Sequence, residues 1–329
     1  MITIYTRDGS TLEAPGDLTA MPPNAVWFDL TSPSPEEIDV VQRLSGLTVP
    51  SFEALSEIES SSRVRVEDGV IYLSAPLTHR TTQEMAGSTP VGFVLTHQIL
   101  ITVRFEPLMA FANFAQRLGR PGAECGNGMV VFTGLMEAIV DRLADILENV
   151  AASLDELSHR LFLVDDPRAG RRRGPTQNQA YLRESLKRVG RSGDLISKIR
   201  DSLLSIARVV PFAANHGSDW SRPEVRADLE TLRHDVLSLS DYDTHLANKV
   251  QLLLDATLGL INIDQNNIIK VLTVVSVVGV PPTLVASMYG MNFKLMPELS
   301  WTWGYPYALA LIALSAVLPL LWFKHRGWL

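Results

Sequence analysis

The spacing of hydrophobic and polar positions changes along the chain. Over residues 1–105 the hydrophobic residues form short runs. These runs and the turn residues between them are typical of a mixed α/β domain. Asp68-Gly69 separates two runs as the turn of a β-hairpin would. Ser34 and Glu37 have the spacing of a helix capping box. The predicted strands are 25–30, 63–67, 70–74, 91–95 and 99–105.

Helical spacing follows over about 129–163 and 176–210, and a more regular pattern starts at Pro223. From Val225 to Asp264, positions four and three residues apart form a heptad seam that is mostly apolar. The seam contains three polar interruptions, which are Asp243, Thr257 and Asp264.

No strong helix breaker separates this seam from the apolar segment after it, so we predict one helix over 223–290, about 100 Å long. A helix of this length needs partners. The seam therefore predicts an oligomer, packing against the helices of residues 129–210, or both.

Two apolar segments near the end of the chain have the length of membrane spans. Residues 271–291 and 305–323 are uncharged runs of 21 and 19 residues, and about 20 residues cross the hydrocarbon core. A pair of buried core helices is the alternative. Basic residues precede the first run and follow the second, so both termini are expected in the cytoplasm.

These patterns divide the chain into seven segments. They are a cytosolic α/β domain (1–120), a long cytosolic helical hairpin (121–222), a stalk helix (223–270), a first transmembrane span (271–291), an extracytoplasmic loop (292–304), a second span (305–323) and a basic cytosolic tail (324–329). The predicted fold class is an α+β cytosolic domain followed by long helices and a two-span α-helical membrane region.

Composition narrows the functional classes. The 329 residues carry a net charge of −7 and one cysteine, so a globally basic surface for nucleic acid and a cysteine-based zinc cage are absent. We find no phosphate-binding loop, nucleophile elbow or metal-binding histidine pair, and therefore expect neither an enzyme nor an organic cofactor. Arg171-Arg172-Arg173 could bind anionic lipid or nucleotide, or form a solvated hairpin tip.

The first span presents one face of small, polar or aliphatic side chains, including Ser276, Val280 and Thr283. A ring of such faces would enclose a narrow, weakly polar pore, but the same residues are common where membrane helices pack. Pro281-Pro282 removes two backbone donors inside this span. The residues alone leave a water-containing path and a structural kink open.

Two motifs resemble one family. Gly290-Met291-Asn292 ends the first span and Met296-Pro297-Glu298-Leu299 follows in the loop. With the string over 280–292, they make residues 262–329 resemble the CorA-type magnesium transporters. Over residues 1–220 the resemblance is one of architecture only.

The resemblance implies a funnel-shaped homopentamer in a bacterial-type inner membrane. It would take up Mg²⁺, driven by the membrane potential, and Co²⁺ and Ni²⁺ are further possible cargoes. Gly290, Met291 and Asn292 would form the selectivity mouth, with Glu298 in the loop outside it. The implied pore-lining residues are Asp255, Asn266, Ile269, Leu272, Val280 and Thr283. Cytosolic Mg²⁺ would close the pore, and its candidate ligands are Asp228, Asp235, Asp241 and Asp243.

Two alternatives remain open from the sequence. A zinc transporter of the ZntB type, or a cobalt- or nickel-selective relative, would share the architecture, although the Met-Pro-Glu-Leu loop favours the magnesium branch and no histidine or cysteine cluster is evident. A non-transporting oligomeric membrane sensor would also have the seam and two spans. It predicts no ion flux.

Overall fold

The computed structural model describes residues 1–7, 10–14, 20–57, 63–79, 86–119, 126–162, 175–291 and 296–328. These residues form two compact units, Met1–Ala169 with Lys187–Leu254, and Gly170–Leu186 with Asp255–Leu329. The strands are β1 (Ile2–Thr6), β2 (Thr11–Ala14), β3 (Ala25–Thr31), β4 (Val64–Glu67), β5 (Val70–His79), β6 (Gly87–Leu95) and β7 (Leu100–Arg104). The helices are α1 (Pro35–Ser45), α2 (Phe52–Leu55), α3 (Met109–Leu118), α4 (Gly128–Phe162), α5 (Pro175–His216), α6 (Pro223–Tyr289) and α7 (Gly304–His325), with short 3₁₀ turns at Ser218–Trp220 and Pro297–Ser300.

The described strands form one sheet in the order β2-β1-β3-β7-β6-β5-β4. Strands β3 and β7 pair in parallel, and the other neighbours are antiparallel. The predicted hairpin turn at Asp68-Gly69 is confirmed, because β4 and β5 pair on either side of it. Asp68 and Gly69 have φ angles of 50° and 78°, the left-handed geometry that two-residue hairpins require.

Helix α1 begins where the sequence predicts it. The Ser34 hydroxyl accepts a bond from the Glu37 backbone amide, and the Glu37 carboxylate accepts one from the Ser34 amide. The same carboxylate lies 2.7 Å from the chain's amino terminus. A cap of this kind stabilises a helix by about 1 kcal/mol, and here it also holds the first residue beside β3.

A buried polar network spans the parallel pair of strands. The Trp27 indole donates to Thr102 Oγ1 (2.9 Å), whose hydroxyl donates to Asp29 Oδ1 (2.8 Å). The Asp29 carboxylate also accepts bonds from Arg104 Nε and Nη2, the latter at 2.8 Å. The Arg104 guanidinium lies over the ring of Phe111. Hydrogen bonds thereby join β3 to β7, and the contact of Arg104 with the Phe111 ring joins both to α3.

The heptad seam of α6 is buried by the chain itself over most of its length. Asp243 pairs with Arg200 of α5, and a Cβ placed on Gly193 of α5 would lie 3.3 Å from Val250. Packing against the preceding helices, one of the two predicted explanations of the seam, is therefore confirmed. The buried seam residues are Val225, Leu229, Leu232, Val236, Asp243, Leu246, Leu253 and Thr257.

We predict that Asp29→Asn destabilises the protein by about 3–5 kcal/mol, because it leaves the largely buried Arg104 guanidinium without its charged partner. Urea unfolding of the full-length protein in detergent, followed by circular dichroism, measures the change. Glu67→Gln is the control, since the Arg65–Glu67 pair is exposed and such pairs contribute about 0–1 kcal/mol. Equal effects of the two substitutions would contradict a structural role for the buried network.

Candidate ion pathway

Among the described residues, two helices are long and apolar enough to cross a membrane, α6 and α7. Their most apolar stretches are 0% and 6% buried within the chain. A core helix of a soluble protein would be covered by its own chain, so the alternative of buried core helices is wrong for both. The exposed apolar surface needs lipid or other copies of the chain to cover it.

The predicted pore-lining side chains lie on this exposed part of α6 and on the segment of α6 just before it. Ile269, Leu272 and Val280 are 59%, 65% and 60% exposed, and Asp255, Asn266 and Thr283 are also exposed. Within the described residues, no packing covers the aliphatic side chains at these three positions. They are available to a neighbouring helix, to lipid or to a pore.

The helix continues through Pro281-Pro282. The Thr283 hydroxyl donates to the Gly279 carbonyl at 2.7 Å, and the Thr273 hydroxyl donates to the Ile269 carbonyl at 2.8 Å. Bonds of this type satisfy a hydroxyl within its own helix. A shallow groove beside the prolines contains Ser276, Val280 and Thr283, the three residues named above for the face of small, polar or aliphatic side chains. Its lining residues are Val275, Ser276, Gly279, Val280, Thr283, Leu284, Ser287, Met288 and Met291.

The end of α6 tightens just before the Gly290-Met291-Asn292 motif. The Gly290 amide donates to the carbonyls of Ala286 (3.0 Å) and Ser287 (3.2 Å), and Met291 continues this turn as an exposed side chain. A Cβ on Gly290 would meet its nearest described atom at 3.4 Å, a tolerable distance. Asn292 lies outside the described residues. Glu298 falls in the 3₁₀ turn Pro297–Ser300.

The four candidate regulatory acids occupy different environments on α6. Asp228, Asp235 and Asp241 are exposed, whereas Asp243 is 1% exposed and accepts a 2.8 Å bond from Arg200 Nε. Asp243 Oδ1 is buried without a hydrogen-bond partner among the described residues. Burial raises the pKa of Asp243, and the bond and charge of Arg200 only partly oppose this. Its carboxylate is thus held inside the chain.

Sequence analysis missed a fifth acid that shares the surroundings of two of these. Burial raises the pKa of Glu137 on α4, and the negative charges of Asp228, Asp141 and Asp235 raise it further, while Arg117 opposes them. The signal was present in the sequence, because Glu137 interrupts the apolar run of residues 135–140. Repulsion among these carboxylates would be relieved by a cation.

Within the part of the chain that the structure describes, no three histidine, cysteine or acidic side chains are grouped closely enough to hold a metal ion. The acids around Glu137 therefore interact electrostatically without forming a complete ligand set. Any divalent-ion site that uses them needs further ligands.

The fold and the exposed helices define a class, a membrane protein with a large α+β unit before two apolar helices. The chain belongs to the family of CorA-like Mg²⁺ transporter proteins, whose family model matches residues 24–325. Two curated relatives, each described as "Magnesium transport protein CorA", come from Pasteurella multocida (strain Pm70) and Escherichia coli (strain K12). Each is 34% identical over 307 and 306 residues respectively, covering 93% of this chain and 92% of the relative.

Solved structures agree at the level of the fold. The complete CorA magnesium transporter from Methanocaldococcus jannaschii has a TM-score of 0.72 at 19% identity, covering 100% of this chain and 99% of that one. The full-length CmaX protein gives 0.65 at 16% identity, covering 99% and 96%. The ZntB cytoplasmic domain from Vibrio parahaemolyticus RIMD 2210633 gives 0.52 at 13% identity, covering 80% and 98%.

We predict that Asp243→Leu raises the unfolding free energy by about 1 kcal/mol or more at neutral pH, because a buried ion pair is often no better than apolar packing. Arg200, at 44% exposed, can turn to water. Since the folded pKa of Asp243 is raised, the cost of its ionised form is present above that pKa and disappears as pH falls through it. The advantage of the leucine should therefore shrink toward acidic pH in urea unfolding curves.

Replacement of the partner, Arg200→Leu, is the matched control for Asp243→Leu. Arg200→Leu leaves the buried carboxylate uncompensated and should destabilise the protein by about 3–5 kcal/mol. If both substitutions destabilised the protein equally at every pH, the asymmetry in burial between the two partners would have no energetic consequence.

Proposed function

We propose that this protein is a Mg²⁺ channel in which several copies of α6 surround a pore. The observation that carries the proposal is the family match over nearly the whole chain, combined with exposed side chains along α6 up to Met291, the second residue of the Gly-Met-Asn motif. The relatives named as magnesium transport proteins cover 93% of this chain. Resemblance to the family assigns the assembly as a homopentamer.

Assembly of several copies would cover apolar surface that is exposed in a single chain. Besides its buried seam, the cytosolic part of α6 exposes Leu237 and Leu252, the latter 61% exposed. Contact between copies would remove such side chains from water, at about 25 cal/mol per Å² of apolar surface. The seam itself is satisfied within the chain, so the subunit contacts would use other faces of α6.

The outer mouth is assigned to Gly290, Met291 and Asn292. Mg²⁺ gives up its water reluctantly and prefers oxygen ligands. A ring of Asn292 amide oxygens would accept hydrogen bonds from that water without the charge of a carboxylate, so the ion could leave again. Glu298 in the loop outside would add negative charge that concentrates cations.

Below the mouth, Val280 and Thr283 would continue the pore, and Ile269 and Leu272 would form its apolar constriction. Rings of aliphatic side chains can stop ions by excluding water. Asn266 and Asp255 would supply polar rings on the cytosolic side. The inside-negative potential favours entry of a doubly charged ion by about 4.6 kcal/mol per 100 mV, so no nucleotide is required.

Both termini are proposed to lie in the cytoplasm of a cell with a bacterial-type inner membrane. Lys270 precedes the first span, and Lys324 and Arg326 follow the second, as the positive-inside rule requires. The acidic α+β unit would then face the cytosolic Mg²⁺ pool. Co²⁺ and Ni²⁺ are further candidate cargoes.

Cytosolic Mg²⁺ is proposed to stabilise the closed state. Asp228 and Asp235 face the charge of Glu137, and Asp241 is exposed further along α6. Since no complete ligand group lies within the described residues of one chain, a neighbouring subunit would supply the rest. A ligand that binds the closed state more tightly shifts the population toward it. Asp243, which is paired with Arg200, would join only if that pair opened.

Asn292→Ala is predicted to reduce potential-driven Mg²⁺ uptake at least about tenfold, because each amide lost removes a hydrogen bond of about 0.5–1.5 kcal/mol to the hydrated ion. Uptake is measured in proteoliposomes with an internal fluorescent indicator and an imposed inside-negative potential. Asn267→Ala is the matched control, since it removes the same amide one residue from the proposed pore line. It should transport like the wild type.

The same assay separates the alternatives. Uptake of Zn²⁺ without Mg²⁺ would move the protein to the zinc branch. No flux of either ion through an intact oligomer, with the internal face free of Mg²⁺, would favour a non-transporting sensor.

The combined change Asp228→Asn and Asp235→Asn is predicted to raise the Mg²⁺ concentration that half-protects the full-length protein from trypsin by at least about tenfold. Each lost carboxylate removes a charge-assisted contact of about 1.5–3 kcal/mol. Asp39→Asn on α1, also exposed, is the control and should leave protection unchanged. Unaltered protection in the double variant would exclude both acids as ligands of the closing ion.

A further inference from the structure

The last turn of α7 ends the second apolar helix in a short group of basic and aromatic residues. The most apolar stretch of this helix is 6% buried within the chain, so in a membrane its end would lie where lipid meets water. Lys324 and Arg326 are both exposed at this end. The sequence has no aspartate or glutamate after Glu298, so the side chains of this end carry a net positive charge.

The backbone closes this end of the helix without help from side chains. Gly327 has a φ of 69°, the left-handed geometry that lets a chain turn back over a helix end. The Trp328 amide donates to the Phe323 carbonyl at 3.0 Å, and the Gly327 amide donates to the Lys324 carbonyl at 3.2 Å. Basic side chains can bind the last carbonyls of a helix. Here backbone amides do so, which leaves the Lys324 ammonium for another partner.

The turn also brings aromatic rings beside the cations. The Trp328 ring stacks on Phe323 at 5.4 Å between centroids, and Phe323 is only 2% exposed. The Arg326 guanidinium lies 5.5 Å from the centroid of the Trp322 ring, within range of a cation–π attraction. Both tryptophans remain largely exposed. Since tryptophan rings prefer the depth of the lipid headgroups, these contacts place positive charge at that depth.

The two cations also differ from the bases of the preceding helices. On α5 and α6, Lys198, Arg200 and Lys249 each form an ion pair with an aspartate. Among the described residues, neither Lys324 nor Arg326 has a carboxylate partner of this kind. Their charges are therefore available to an anion from outside the chain.

The position of these charges selects the kind of anion. A phospholipid phosphate lies at the depth of interfacial tryptophans, and basic residues beside a span are attracted to anionic lipid. A lysine offers a compact charge and an arginine a planar fork of donors, and both suit a phosphate. A zwitterionic headgroup already contains a cation that offsets its phosphate. A headgroup with a net negative charge has no such cation and gains more from the two bases.

We propose that the last turn of α7 binds the phosphate of an anionic phospholipid. Lys324 and Arg326 would be its cationic contacts, and the rings of Trp322 and Trp328 would lie against the glycerol and the upper part of the acyl chains. The inference requires that α7 spans the membrane. It does not depend on which ion the protein transports, or on transport at all.

The experiment uses the full-length oligomer in phosphatidylcholine vesicles that contain dibrominated phospholipids, whose bromine atoms quench tryptophan fluorescence on contact. Trp301→Phe with Trp303→Phe leaves Trp322 and Trp328 as the tryptophans of residues 223–329. Quenching by dibrominated phosphatidylglycerol and by dibrominated phosphatidylcholine gives the ratio of their association constants. We expect at least about a fivefold preference for phosphatidylglycerol, since each base near an anionic surface contributes about that factor.

A second reporter tests the other end of α7 with every charge in place. Trp322→Phe with Trp328→Phe leaves Trp301 and Trp303 just before the helix. The loop of residues 292–304 contains one base and one acid, so its formal charges cancel. This reporter should show no preference between the two lipids.

Lys324→Gln with Arg326→Gln, made in the first reporter, should abolish the preference for phosphatidylglycerol. Lys187→Gln with Arg191→Gln is the matched control, because it removes the same two charges from exposed positions on α5. It should leave the preference unchanged. The proposal is overturned if the first reporter shows no preference, if both reporters show the same preference, or if the preference survives the loss of Lys324 and Arg326.

Discussion

The structure depends on α6, a single continuous helix with two different surroundings. One part of it is covered by its own chain, and another part is left uncovered. Up to Thr257 most of the seam side chains are buried. From Ile263 onward the aliphatic side chains are largely exposed. A helix keeps its backbone groups bonded to one another in either surrounding, so the same backbone can serve both while only the side-chain pattern changes.

Polar residues in the seam cost stability and provide specificity of packing. A leucine at position 243 would fit the heptad, but the chain has a buried aspartate that reaches the Arg200 guanidinium. A shift of α6 against α5 by one helical turn would separate the two groups and leave a carboxylate buried without a counter-charge. The pair therefore favours the observed register of α6 against α5 over one shifted by a turn.

Local signals in the sequence were sufficient for most elements, and non-local ones were not. The Asp68-Gly69 turn, the Ser34–Glu37 cap and the extent of α6 each depend on residues close in the chain. The parallel pairing of β3 with β7 joins residues more than 70 positions apart, and no periodicity encodes it. The Arg200–Asp243 pair and the charges around Glu137 are likewise products of tertiary packing. The proposed selectivity mouth came from the resemblance of a motif, because the chemistry of one glycine, one methionine and one asparagine is not distinctive by itself.

The glycines Gly279 and Gly290 bear on how copies of α6 could pack together. At Gly279 an added Cβ would meet nothing within 4 Å among the described residues, and at Gly290 it would meet only ordinary contacts. Neither has the positive φ angle that demands glycine. Gly279 lies in the interior of α6, where glycine is less stable than alanine by about 1 kcal/mol. Among the described residues, no contact therefore accounts for glycine at position 279. The proposed assembly would account for it, since small residues allow membrane helices to pack closely. The exposed side chains of Ile269, Leu272 and Val280 also favour an assembly, because a neighbouring copy or lipid would cover their apolar surface.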